Sequence, residues 1–226
     1  MIKIKRKPFQ EIVDAIQDYP TILNVGCGGC ASVCLGGGQK EARILNEELR
    51  EYFRQKGFER QLTEYTVERA CNLDYVQEMD DIAPRKTAVI VMACAAGTQL
   101  IAERYPDTPV LPAVNTVAIG LDRDIGLYEE RCRACGNCVI GYAGGICPVT
   151  RCAKGLFNGP CGGTNKGMCE VDDAIPCAWQ EIYERLKRQD RLQDVIKIRP
   201  SMEWQNQTQR TVIQTGYEER YMEKEE

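Results

Sequence analysis

The chain has 226 residues, of which 43% are hydrophobic and 27% are charged, and its formal net charge is -4 at pH 7. This length favours one ordinary domain and a smaller module, and the negative charge argues against nucleic-acid binding, which needs a basic surface to neutralise phosphates. The sequence contains 13 cysteines and no histidine, so any bound metal must be held mainly by sulfur.

The cysteines are better explained as metal ligands than as disulfides. The N-terminal segment 1–17 is charged and amphipathic, and no later segment approaches the roughly 18 apolar residues of a membrane span. We therefore expect a cytoplasmic protein with no membrane insertion, and reducing compartments discourage disulfides. A lone cysteine can serve as a small buried hydrophobe, but closely spaced triplets of cysteines are typical of metal sites.

Residues 1–125 alternate between short apolar runs and helical patterns. This alternation predicts an α/β fold, with a parallel sheet in an N-terminal Rossmann-like or flavodoxin-like domain. The predicted strands are residues 21–25, 62–67, 87–92 and 109–114, and the predicted helices include residues 39–56, ending before Gly57, and residues 98–104.

Five cysteines follow the predicted strands of this domain. They are Cys27, Cys30 and Cys34 after the first strand, Cys71 after the second and Cys94 after the third. Ligands of parallel sheets bind at the carboxyl ends of the strands, so we expect these thiols to converge on a cluster at one sheet edge. Five candidates compete for four positions, and the spacing does not say which is spare.

The same loop offers an alternative reading. Gly26, Gly28 and Ala31 match a relaxed dinucleotide fingerprint, which would place a pyrophosphate at a helix N-terminus and make the chain a nucleotide-binding enzyme. The cysteines argue against it, because Cys27 and Cys30 occupy the loop where a phosphate needs unobstructed amides. The glycines would instead let amides approach cluster sulfurs.

Residues 126–198 form a predicted cysteine-rich, metal-folded module with a closing helix. Its strongest motif is Cys132-x2-Cys135-x2-Cys138, a spacing that favours a 4Fe-4S cluster over zinc. The cysteines that follow exceed the need of one site, and they are Cys147, Cys152, Cys161, Cys169 and Cys177.

Two-cluster ferredoxins suggest one division of these eight cysteines. It gives Cys132, Cys135, Cys138 and Cys177 to one centre, and Cys147, Cys152, Cys161 and Cys169 to another. We expect two 4Fe-4S clusters, and the chain has cysteines enough for a third, with zinc as the alternative metal in one site. Residues 178–198 have a helical pattern, and residues 199–226 form a polar tail, which is either disordered or an arm that binds a partner.

The run CPVTRCAKGLFNGPCGGTNKGMCEVDDAIPCAWQEIYERL, residues 147–186, resembles the C-terminal domain family of methylenetetrahydrofolate reductase. The preceding RCRACGNC motif and the GCGGC, VERAC and MACAAG segments also fit that family. The resemblance implies an iron-sulfur subunit that accompanies a flavin-containing catalytic subunit, which reduces methylenetetrahydrofolate in one-carbon metabolism of the Wood-Ljungdahl type. An upstream electron-donor module is a further possible partner.

The residues agree with an accessory role, because the chain has no histidine, no serine-centred triad and no obvious flavin barrel. We therefore expect an electron-transfer subunit without catalytic residues of its own. The alternative is a scaffold whose metals, with zinc in at least one site, hold its shape and position the flavoprotein.

Overall fold

In this computed structural model, which describes residues 1–197, 199–207 and 210–222, the chain forms two compact units, Met1–Arg131 and Cys132–Glu226. The predicted closing helix and polar tail fall partly on residues 198, 208, 209 and 223–226, which lie outside the described residues. The three-part division of the sequence remains a prediction.

The first unit contains two sheets and their connecting helices. In chain order its elements are β1 (Ile2–Arg6), α1 (Phe9–Ile16), β2 (Thr21–Cys27), α2 (Cys30–Val33), α3 (Gln39–Gln55), β3 (Gln61–Val67), α4 (Leu73–Gln77), β4 (Ala88–Met92), α5 (Ala95–Arg104), β5 (Val110–Pro112), β6 (Val114–Asp124) and β7 (Leu127–Cys132).

A parallel four-stranded sheet with the order β3-β2-β4-β5 organises this unit. Counted along the chain, the order of these strands is 2-1-3-4, as in the first four strands of flavodoxin-like sheets. The α/β prediction is therefore confirmed. All four predicted strands are present, although the last is shorter than expected.

The two central strands explain why this sheet forms. Every residue of β4 is buried, as are six of the seven residues of β2, which is typical of parallel strands covered by helices on both faces. Helix α3 buries an apolar stripe that includes Leu45, Leu49 and Phe53. It ends just before Gly57, whose φ of +76° continues the chain in the left-handed region.

A second sheet, with the order β1-β6-β7, was not predicted from the sequence. β1 pairs antiparallel with β6, and a tight connection at residues 125–126 joins β6 to β7. The side chain of Lys3 is only 3% exposed, lies over the Tyr128 ring at 3.8 Å and pairs with Asp122. This hairpin leads the chain directly to Cys132.

The second unit has short elements and little apolar core. Its elements are α6 (Pro148–Arg151), β8 (Thr164–Asn165), β9 (Met168–Cys169), β10 (Asp172–Pro176), α7 (Ala178–Arg188), α8 (Gln193–Ile196) and α9 (Glu219–Met222). The predicted helix over 178–198 is divided, because the chain turns at Asp190, where φ is +54°.

Two small clusters of buried side chains hold the second unit together. One contains Ala143, Ile146, Trp179, Ile182 and Leu186, and the other contains Val139, Val149 and Met202. Met202 shows that the start of the predicted polar tail packs onto this unit. In the part of the chain that the structure describes, no helix has the length and apolar character needed to cross a membrane.

Candidate metal centres

The carboxyl edge of the parallel sheet brings together thiols from three separate loops. Cys27 ends β2, Cys30 begins α2, and Cys94 lies two residues after β4 as the N-cap of α5. The chain leaves β2 towards β3 but leaves β4 towards β5, so a crevice opens between β2 and β4, the usual position of ligands in such sheets.

Cys71 lies in the electrostatic field of three of these thiols. Burial raises the pKa of the Cys71 thiol, and the charges of Cys94, Cys27 and Cys30 raise it further, in that order. Loss of all four protons would place four negative charges at one edge, and a cationic metal group would offset that repulsion. Metal binding would therefore release protons from the edge.

Cys34 is placed differently from the other four. It is buried in the apolar core of the first unit, as Cys27 is, but unlike Cys27 its thiol donates a hydrogen bond to the Ala31 carbonyl at 3.5 Å. Cys94, Cys27 and Cys30, rather than Cys34, are the thiols that raise the Cys71 pKa most. These contacts are those of a buried structural thiol.

Glycine backbone holds the cysteine loop against the sheet. The Cys27 amide donates to the Gly37 carbonyl at 2.9 Å, and the Gly28 amide donates to the Val67 carbonyl at 2.8 Å. A Cβ at Gly37 would lie 1.9 Å from the Met92 carbonyl oxygen, so only glycine allows the loop to cross the end of β4 there.

Two further contacts fix Cys94 and Cys71. The Ala95 amide donates to the Thr116 hydroxyl at 2.9 Å, which anchors the start of α5 beside Cys94. An added Cβ at Gly97 would lie 2.7 Å from the Ala70 Cβ, so the lack of a side chain lets α5 approach the segment that carries Cys71. The sequence reasoning did not identify Thr116 or Gly97.

The loop at residues 26–31 does not have the backbone arrangement that binds the pyrophosphate of a dinucleotide. The amides of Cys27 and Gly28 are already donated within the protein. The helix that follows is also only four residues long, whereas a dinucleotide site places the pyrophosphate at the start of a full helix.

The loop from Cys132 to Cys138 curls through residues with positive φ. Ala134 has φ +50° and Gly136 has φ +87°, and the Ala134 amide donates to the Cys132 sulfur at 3.3 Å. Hydrogen bonds from amides to sulfur tune bound clusters. The exposed thiols of Cys132 and Cys138 complete this loop.

Cys147 lies near this loop, because Cys135 and Cys147 pack against the same apolar cluster of Val139, Val149 and Met202. The Gln205 amide also donates to the Cys135 carbonyl at 3.2 Å, so the chain after the last long helix returns to the loop. The structure therefore associates Cys147 with the triplet as a neighbour.

The other four cysteines of the second unit line one cavity of about 290 Å³. They are Cys152, Cys161, Cys169 and Cys177. The Gly163 amide donates to the Cys161 sulfur at 3.3 Å, and Cys152 and Cys177 pack against the apolar cluster around Trp179. The cavity thus places Cys177 beside Cys152, Cys161 and Cys169, all of which the sequence-based division assigned to the other centre.

Among residues 1–197, 199–207 and 210–222, no three cysteine or acidic side chains come close enough to hold a single metal ion. Four sulfurs on one zinc, at about 2.3 Å each, stand about 3.8 Å apart. A cubane cluster takes one thiolate on each of four irons and so keeps its ligands more widely spaced. Zinc and iron-sulfur clusters both accept all-cysteine donor sets.

A family model described as the C terminus of methylene-tetrahydrofolate reductase matches residues 111–205 of the chain. These residues are less than half of the 226 in the sequence; they include all eight cysteines after Arg131 and none of the five at the sheet edge. Neither the curated proteins nor the solved structures include a match.

Proposed function

We propose that the chain is an iron-sulfur electron-transfer subunit of a methylenetetrahydrofolate reductase, a small subunit of the MetV type that serves the flavin of a catalytic partner. The observation that carries the proposal is the group of four thiols at the sheet edge, where Cys71 lies within electrostatic reach of Cys27, Cys30 and Cys94. The family match supports the association with this reductase.

The first centre uses Cys27, Cys30, Cys71 and Cys94, and leaves Cys34 as the spare thiol. Two of the four ligands, Cys30 and Cys71, are exposed, so the centre lies where a partner can reach it. When bound, an iron-sulfur cluster takes up and releases single electrons. The residues of this chain position that group, supply its negative ligands and leave one side accessible.

The second unit supports two further centres. We assign Cys132, Cys135, Cys138 and Cys147 to one, because Cys135 and Cys147 pack against the same cluster. We assign Cys152, Cys161, Cys169 and Cys177 to the other, because they line one cavity. The division suggested by ferredoxins, which pairs Cys177 with the triplet, is the competing assignment.

Metal and acid-labile sulfide analysis of the anaerobically purified chain tests the proposal. Three cubane clusters predict about twelve irons and about twelve sulfides for each chain. Protein that contains only zinc after anaerobic reconstitution with iron and sulfide would refute electron transfer. The functional assay is reduction of the partner flavin with Cys135→Ser in an assembled complex, and an unchanged rate would count against the triplet centre.

A double variant distinguishes the two assignments of the second unit. In the assignment we propose, Cys135 and Cys177 serve different centres, so Cys135→Ala with Cys177→Ala should remove about eight irons. In the competing assignment they serve one centre, and the double variant should remove only about four. The single variants, each losing about four irons, are the matched controls.

A metal-stabilised scaffold without electron transfer is the second candidate. The two small apolar clusters of the second unit favour it, since so few buried side chains leave much of the folding energy to bound metal. This reading predicts a complex that assembles with the flavoprotein but whose flavin is reduced equally fast whether the chain carries iron-sulfur clusters or zinc.

A further inference from the structure

The amino edge of the parallel sheet contains a cavity of about 750 Å³. It is lined by the C-terminal part of α3, by residues 57–60, and by the first residues of β2 and β3, Thr21 and Gln61. The proposed thiol ligands of this unit follow the carboxyl ends of the strands, so the cavity lies at the opposite edge of the sheet. Its volume falls within the range of small-molecule sites, about 300–1,000 Å³.

The charged side chains that line this cavity are mostly positive. They are Arg50, Arg54, Arg60 and the acid Glu59. Glu51 neutralises Arg54, three positions after it in the helix, through an ion pair at 2.8 Å. Within residues 1–197, all of which the structure describes, Arg50 and Arg60 form no ion pair and bond only to backbone carbonyls. The cavity therefore has an excess of positive charge in a chain whose formal net charge is -4.

The carbonyls hold both guanidinium groups in place. Nη2 of Arg50 donates to the Leu62 carbonyl at 2.9 Å, and Nε and Nη2 of Arg60 donate to the Gln17 carbonyl at 3.0 and 2.6 Å. A carbonyl oxygen orients a guanidinium without neutralising its charge. Because each guanidinium has five N–H donors, these bonds leave donors of both arginines for a ligand.

Aromatic rings give the cavity an apolar side next to this charge. The guanidinium carbon of Arg60 lies 5.1 Å from the centroid of the Phe58 ring and 5.9 Å from that of Phe53. Phe53 belongs to the core, whereas Phe58 is 47% exposed. Oriented charged groups beside an aromatic ring are typical of sites for organic ligands.

Stabilisation of α3 explains only one of the three arginines. Basic side chains in the last turn of a helix interact favourably with its dipole, and Arg54 lies in that turn. Arg50 precedes the last turn, and Arg60 lies outside the helix, directly before β3. Two cations without a carboxylate partner that line one cavity repel each other, and a bound anion would offset that repulsion.

We propose that this cavity binds a small organic anion with two or more phosphate or carboxylate groups, which the N–H groups of Arg50 and Arg60 hold. Arginine matches both kinds of oxyanion through bidentate hydrogen bonds, so the site recognises the chemistry that the two share. The inference does not depend on the proposed function, because the cavity and the thiols lie at opposite edges of the sheet.

The test is isothermal titration calorimetry with the full, anaerobically purified chain at about 0.15 M salt, where charges more than about 8 Å apart are largely screened. Fructose bisphosphate is the phosphate probe, tricarballylate is the carboxylate probe, and fructose is the uncharged control. The variants are Arg50→Gln and Arg60→Gln. The matched control is Arg43→Gln, which removes the same charge from α3 outside the cavity.

The chain should bind at least one anionic probe saturably and should not bind fructose. Each of the two cavity variants should weaken that binding by about tenfold or more, the loss expected for a charged hydrogen-bonding group. Arg43→Gln should weaken it by less than about twofold. Arg50→Lys and Arg60→Lys keep the charge but lose the paired donors, so they should weaken binding by about threefold or more. These lysine variants test the site even if a glutamine variant fails to fold.

Stronger binding of fructose bisphosphate would identify a phosphate ligand and stronger binding of tricarballylate a carboxylate ligand, and either result would support the site. If the chain binds neither probe, the inference is wrong. Equal binding by Arg50→Gln, Arg60→Gln and Arg43→Gln would also overturn it, because the anions would then be attracted to the chain without using the cavity. Binding of fructose as tight as that of its bisphosphate would exclude recognition of an oxyanion.

Discussion

Replacing Cys34 and Cys71 separately with alanine should have opposite effects on metal content and on folding. Cys71→Ala removes a ligand of the sheet-edge centre, so the chain should lose about four irons and four sulfides. Cys34→Ala should retain all the iron, because this thiol is buried in the core and bonded to the Ala31 carbonyl.

In the metal-free chain, Cys34→Ala should lower the free energy of unfolding more than Cys71→Ala does, which is the opposite order to their effects on iron content. Cys34 is 5% exposed, and deletion of its sulfur leaves a small void that we expect to cost about 1 kcal/mol. Cys71 is exposed, so without metal its truncation to alanine leaves no buried void. We expect Cys71→Ala to change the free energy of unfolding of the metal-free chain by less than about 0.5 kcal/mol.

The assay combines iron and sulfide analysis of the loaded proteins with urea unfolding of the metal-free proteins, both under anaerobic conditions. The two variants are matched, since each exchanges one cysteine for alanine in the same unit. Loss of iron in Cys34→Ala with retention in Cys71→Ala would refute the assignment of the spare thiol. Retention of all iron in both variants would refute the sheet-edge centre itself.

Three further changes test other parts of the reasoning. Gly97→Ala should destabilise the first unit by about 1–3 kcal/mol in urea unfolding, because the new methyl group overlaps the Ala70 side chain. This cost exceeds the gain of up to about 1 kcal/mol in helix propensity. A stabilised variant would show that α5 can move to accept the methyl group. The Arg104 side chain donates to Asp80 and lowers the pKa of that carboxyl. The ion pair therefore stabilises the fold at pH values above the ordinary pKa of Asp80, and this stabilisation is lost as pH falls through the lowered pKa. Arg104→Gln should raise the Asp80 pKa in an NMR titration, and an unchanged pKa would contradict the pairing. Removal of metal with an anaerobic chelator should abolish amide-exchange protection in the second unit and preserve it in the parallel sheet, whereas equal loss in both units would contradict separate sources of stability.

The sequence predicts the parallel sheet well because local patterns encode it. Four apolar runs and an amphipathic helix that ends before Gly57 are local signals, and the structure confirms them. The β1-β6-β7 sheet escaped prediction because β1 pairs with a strand more than 100 residues away in the chain. Residues 114–124 also expose many of their side chains, so they lack the apolar run by which the other strands were identified.

The sequence could supply the candidate ligands of the sheet edge, but it could not show which of the five cysteines is not a ligand. Spacing placed Cys27, Cys30 and Cys34 in one loop, and only the fold shows that Cys34 faces the core. The reason is that the loop returns across the end of β4, where Gly37 meets the Met92 carbonyl. The run of three glycines at residues 36–38 was the available signal for this close approach.

The division of the second unit depends on contacts that spacing cannot supply. Analogy with ferredoxins groups cysteines by their order, whereas the cavity groups Cys177 with Cys152 through the side chains that pack around Trp179. Since α7 begins directly after Cys177, its apolar face fixes the position of that thiol.

The two units therefore place their thiols by different physical means. In the first unit a conventional core of buried strands and helices sets the sheet edge, so Cys27, Cys30 and Cys94 lie near enough to Cys71 to raise its pKa. In the second unit the apolar clusters are small, and turns at positive φ, such as Ala134 and Gly162, set the loops instead. Under the proposed function, metal bound by the first unit would act on a site the fold has already built, whereas metal bound by the second would contribute to the folding of the loops that hold it. For the thirteen cysteines we propose three sets of four and one structural thiol, Cys34; because Cys27 is buried as well, the hydrogen bond from the Cys34 thiol to the Ala31 carbonyl, rather than burial or spacing, supports that last assignment.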